Sequence, residues 1–107
     1  MAEDTTQAVT APFMRLEFER STSLLDPDDA VLLRDELRVM TSPAAARLAT
    51  QIDVVITTLL AAPLYAGTRT VRVASDERTA LLEATLMLER LPSDRFATLR
   101  TELSRPN

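Results

Sequence analysis

The stretch SPAAARLATQIDVVITTLLAA, Ser42 to Ala62, decides how this chain is built. In it Ala45, Leu48, Ala49, Ile52, Val55, Ile56, Leu59 and Ala62 recur at intervals of three and four residues, the spacing of one face of an α-helix. Ser42-Pro43 supplies a capping hydroxyl and a proline at the first helical position, where the missing N–H has no partner to lose. Arg47, Thr50, Gln51, Asp53, Thr57 and Thr58 take much of the remaining circumference. Val54, Leu60 and Ala61 extend the apolar surface beyond one stripe, which predicts a helix central to the fold or shared with another subunit. Pro63 bounds it, and Gly67 punctuates the exit.

Upstream, Asp26-Pro27 repeats the cap-and-proline signal, with Asp28 and Asp29 favourably placed on the helix dipole. The spacing predicts a helix with a stripe of Ala30, Val31 or Leu33, Leu37 and Met40. Before it, Ser21 to Leu25 reads as a loop, and Met14-Arg15-Leu16-Glu17-Phe18-Glu19 alternates strictly. That alternation predicts a half-buried strand with Met14, Leu16 and Phe18 inward. Residues 1–12 lack periodicity and are expected to form a tail ahead of a single compact domain, 13–105.

Downstream, Thr68 to Ala74 reads as a second strand with Val71 and Val73 inward, and Thr70 and Arg72 outward. Ser75 is expected to cap a third helix whose inner arc is Ala80, Leu81, Ala84, Met87, Leu88 and Leu91. Leu82 and Leu86 project from a different side. Pro92-Ser93-Asp94 breaks and recaps the chain, and Phe96, Leu99 and Leu103 mark a short fourth helix. The fold class is thus α+β, predominantly helical, in the order β-α-α-β-α-α, with one adjacent pair of strands per chain.

Two β-α-α halves suggest a duplication: laying Pro43 over Pro92 also lays Leu32-Leu33 over Leu81-Leu82, and Leu37 over Leu86. Equivalent strands related by a pseudo-twofold axis would bring Glu17 or Glu19 opposite Arg72. A two-stranded sheet leaves open edges, which pairing in a homodimer would close.

The chemistry is narrow. There is no histidine, cysteine or tryptophan, and one glycine; the twelve basic residues are all arginine, against sixteen acidic ones, for a net charge of −4. That balance disfavours a phosphate backbone as partner. The start of the chain lacks a basic, apolar signal pattern, and the apolar stretch Ile52 to Ala66 is interrupted by Asp53, Thr57, Thr58 and Pro63. The expectation is a soluble, cytoplasmic protein that does not cross a membrane. Asp26, Asp28 and Asp29 lack the spacing of a calcium loop and suit dipole capping, so no metal is assigned. Asp35 and Glu36 are adjacent on a helix and point apart, while Glu83 and Glu89 are nearly two turns apart and not stacked. No catalytic residue and no cofactor are assigned. An enzyme working only with carboxylates and arginines would need a concave polar pocket holding an acid of raised pKa.

Ala46 to Val54 has a faint helix-turn-helix cadence with Arg69 and Arg72 in a wing-like strand, so the alternative reading is a winged-helix DNA-binding regulator. The supposed turn lacks glycine and the apolar stripe runs through it. The leading expectation is a non-catalytic protein-interaction module, a regulator, adaptor or assembly subunit that dimerises. Its partner is a second copy or another protein, and its contact residues are Leu82, Leu86, Val54 and Leu60.

Overall fold

The structure is a computed structural model that describes residues 13–61, 67–90 and 95–104. Among them the order is β1 (Phe13–Glu17), β2 (Thr22–Leu25), α1 (Pro27–Arg38), α2 (Pro43–Ala61), β3 (Thr68–Arg72), α3 (Ser75–Met87) with a 3-10 turn at Leu88–Arg90, and α4 (Ala97–Ser104). The architecture is α+β and helix-dominated. The tail at 1–12, Ala62, Pro63, Leu91 and the break at 92–94 lie outside the described residues.

The two-stranded sheet is corrected to three strands in the order β2-β1-β3. Ser21 to Leu25, read as a loop, contains β2, which pairs antiparallel with β1 from Met14↔Leu25 to Glu17↔Thr22. The turn closes through a hydrogen bond from Phe18 N to Ser21 O of 2.8 Å. Thr-Ser-Leu-Leu has no apolar alternation of its own; the strand exists because β1 offers it a ladder, an effect of pairing that local pattern does not carry.

β1 and β3 are neighbours, as the two-strand reading expected, and Arg72 Nε donates to Glu17 Oε1 at 3.0 Å across the pair. The pairing is parallel, from Phe13↔Thr68 to Glu17↔Arg72. Met14, Leu16, Phe18, Leu25, Val71 and Val73 are buried, while Arg15, Leu24, Thr70 and Arg72 are exposed, so the helices cover one sheet face only. A twofold axis along parallel strands would exchange the two faces, so the pseudo-twofold relation between halves does not hold. Nor are the closing helices equivalent: α2 has 19 residues and α4 has 8.

α1 starts as its sequence dictates, with Asp26 Oδ1 accepting from Asp29 N at 2.8 Å and Pro27 in the first turn. Ala30, Leu33 and Leu37 face inward. α2 packs beside α1, its most extensive helical neighbour, and contributes Ala44, Ala45, Leu48, Ala49, Ile52, Ile56 and Leu59 to the core. Gly67 precedes β3 at φ 60°, a left-handed conformation natural to glycine, and its carbonyl accepts from Phe13 N at the start of the ladder.

α3 departs from expectation in two ways. Its N-cap is Ala74, not Ser75, and the cap is supplied from inside the helix: Glu77 Oε1 accepts from Ala74 N at 2.9 Å. Its buried side carries Glu77 and Thr85 beside Ala80, Leu81 and Ala84. With polar residues at inner positions the arc is rotated, and Met87, expected inward, is exposed. The Thr85 hydroxyl donates to Leu82 O at 2.7 Å, which satisfies it locally. α4 is strapped to α3 by Arg100 Nη2 on Thr85 O at 2.7 Å and Arg78 Nη2 on Leu103 O at 3.2 Å. Its approach buries Phe96, Leu99 and Leu103.

Candidate interaction surface

The four residues expected to make contacts divide by helix. On α2, Val54 and Leu60 are each 61% exposed. On α3, Leu86 is 47% exposed, whereas Leu82 is half-buried and packed against the core. The side of α3 that faces solvent also carries Thr79 and Glu83, so Leu86 stands beside charge. The outer side of α2 is different.

Ala46, Thr50, Val54, Thr57 and Ala61 are all exposed and follow one another at helical spacing along that side. The threonine hydroxyls do not point their bonding capacity at solvent. Thr50 Oγ1 donates to Ala46 O at 3.0 Å, Thr57 Oγ1 to Asp53 O at 2.9 Å and Thr58 Oγ1 to Val54 O at 3.0 Å. Each is a bond one turn back, which satisfies the hydroxyl donor within the helix.

α2 has two charged residues, Arg47 and Asp53, and both are engaged by the rest of the chain. Asp53 Oδ1 accepts from Arg34 Nη1 of α1 at 2.7 Å and lies 3.4 Å from Arg38 Nη2. Arg47 reaches α3, donating through Nη2 to Asp76 Oδ2 at 2.6 Å and through Nε to Glu77 Oε2 at 2.9 Å. The Arg47 guanidinium holds the Asp76 carboxyl below the ordinary carboxylate range. Gln51 Nε2 adds a third bond to Glu77, at 3.3 Å. These pairs flank the helix like rails, and between them its outer face is uncharged. By length and composition α2 is apolar enough to cross a membrane, but its inner side is fully committed to the core beneath it.

The surface also carries concavities. One, of about 450 Å³, lies between β2, α1 and α4 and is lined by Ser23, Leu24, Asp29, Arg95, Thr98 and Glu102 among others. Asp29 in it is pushed above the usual carboxylate value by burial, with Asp26 and Asp28 adding repulsion against the lowering effect of Arg95. Arg95 Nε sits 2.8 Å from Asp29 Oδ1. That pair joins the entry to α4 to the first turn of α1, where the Asp29 backbone N–H is already used by the Asp26 cap. Among the described residues no group of three acidic side chains is placed to hold a metal ion.

The helix-turn-helix cadence in Ala46 to Val54 does not form a turn: α2 runs unbroken from Pro43 to Ala61. Of the two wing arginines, Arg72 is engaged with Glu17. Comparison of the chain with protein-family models, with curated proteins and with solved structures found no match. Val54 and Leu60, singled out from the sequence, are both exposed; the two charge pairs were not legible there, because they depend on atoms brought together by the fold.

Proposed function

We propose that the protein is a non-catalytic interaction module that works through the outer face of α2. The observation that carries this reading is that the central helix of the core presents an uncharged face, with Val54 and Leu60 well exposed, whose flanking charges are already compensated within the chain. Burying such a face removes apolar area from water and strands no unpaired charge and no hydroxyl donor, two costs that usually oppose association. A regulator, adaptor or assembly subunit in the cytoplasm fits this description, with a second copy or another protein as partner.

A photoreactive side chain at Val54 or Leu60, introduced in the native host, is expected to form a covalent adduct with a protein. The same group at Glu83, on the solvent side of α3, is expected to give little. Equal yields at all three positions would sink the assignment of the surface.

A further inference from the structure

We propose that the open edge of β3 binds an extended acidic segment of another protein, which joins the sheet as a fourth strand. This edge is separate from the outer face of α2 and goes beyond the reading of that face. β3 stands last in the order β2-β1-β3. Its bonds to β1 run from Gly67 O, which accepts from Phe13 N at 3.2 Å, to Val73 N, which donates to Glu17 O at 2.9 Å. Alternate residues of a strand turn their N–H and C=O groups to opposite sides, so those of Thr68, Thr70 and Arg72 point away from β1. Among the described residues no strand lies beyond them. The edge has no proline, its register with β1 runs without a bulge from Phe13↔Thr68 to Glu17↔Arg72, and its two threonines suit an extended backbone. The device against pairing that it does carry is charge, and charge selects the partner.

Arg69 and Arg72 lie on β3, and Arg15 lies beside Thr70 on the uncovered sheet face; all three are exposed. Glu17 is taken by Arg72, while Arg15 and Arg69 have no acidic partner among the described residues. The two strands thus hold three arginines against one glutamate, in a chain whose net charge is −4. Acidic side chains on an added strand meet guanidinium groups that nothing else neutralises, and basic ones meet like charge. The same rule disfavours a second copy of β3, which brings another Arg69 and Arg72 to the edge and no acid. A nucleic acid has no amide ladder to offer Thr68, Thr70 and Arg72, and the net charge opposes it. In an antiparallel strand centred on Thr70, acids opposite Arg72 and Arg69 and a valine opposite Val71 give the order Glu-Val-Thr-Glu-Thr.

That pentapeptide, blocked at both ends, is the probe. Titrated into the full chain labelled with nitrogen-15, it is expected to shift the amide signals of Thr68, Thr70 and Arg72 and to slow their hydrogen exchange. Arg69→Ala, which removes no contact within the chain, is expected to weaken binding about two- to fivefold, the worth of one exposed ion pair. Salt at about 0.5 M is expected to weaken it as well. A peptide with lysine in place of both glutamates tests the charge, and one with proline in place of the central threonine, which removes the N–H aimed at Thr70 O, tests the strand. No response of the β3 amides at millimolar peptide overturns the inference. So does an equal response to the lysine peptide, which shows pairing without preference for acid, or to the proline peptide, which shows charge contact without a strand. Protection of the Thr68, Thr70 and Arg72 amides in the free chain also overturns it, because the edge is then already covered by the chain itself or by a second copy, and so does tighter binding of a single-stranded oligothymidylate at the same amides. None of these outcomes bears on crosslinking at Val54, so the two surfaces stand or fall separately.

Discussion

Glu77 does at the start of α3 what a serine or aspartate does at most helix starts, and it does so while 2% exposed. Its two oxygens accept from Ala74 N, Arg47 and Gln51, so the side chain caps one helix and clamps it to another. Glu77→Ala removes the acceptor for all three donors, and an expected loss of about 2 kcal/mol follows from the unmade buried bonds. Glu77→Gln keeps an oxygen for Ala74 N and is expected to lose clearly less; urea unfolding of the two variants separates them. Asp29 behaves in the opposite sense. Its raised pKa means that the folded state holds the proton more tightly than the unfolded chain does. Its contribution is therefore most favourable below the unfolded value of about 3.9 and is lost as pH rises through the higher folded value. Because burial outweighs the attraction of Arg95, Asp29→Asn is expected to stabilise the protein at neutral pH and to leave stability nearly unchanged at pH about 3. A neutral-pH loss in thermal unfolding would show that the Arg95 pair dominates instead.

At the scale of elements, the helices that declare themselves do so through termini as much as through periodicity. Asp26→Ala takes the acceptor from Asp29 N and is expected to cost about 1 kcal/mol, read from urea midpoints at unchanged slope. The long helix α2 was legible almost residue by residue: Ala45, Leu48, Ala49, Ile52, Ile56 and Leu59 are buried, and Val55 is half-buried. Three and four residue spacing is a property of one segment, and one segment is enough to display it. β2 was not legible, since Thr22 to Leu25 gains its conformation from hydrogen bonds to β1. In α3 the apolar residues alone put Ala80, Leu81, Ala84 and Leu88 inward, as found, but also Met87, which is exposed, and gave no place to Glu77 and Thr85. Glu77 and Thr85 occupy inner positions because their polar atoms find partners there, and no helical wheel of apolar residues registers that.

For the whole molecule, one layer of helices on one face of a mixed sheet leaves α2 as both the backbone of the core and part of the outer surface. The proposed surface follows from that double role. Of the two contact candidates on α3, Leu82 packs against the core and Leu86 stands exposed beside Glu83. What the amino-acid sequence determined alone were the features contained within a few turns of chain: helix starts at Asp26-Pro27 and Ser42-Pro43, the inner face of α2, the alternation of β1, and a chemistry without imidazole or thiol. Only the tertiary structure decided the third strand, the parallel direction of β1 and β3, the buried Glu77 and the charge pairs that leave the outer face of α2 neutral. The third strand depends on pairing across a hairpin, and the others on groups far apart in sequence meeting in space, where the free energy of a hydrogen bond or ion pair is set by its surroundings and not by the local pattern of the chain.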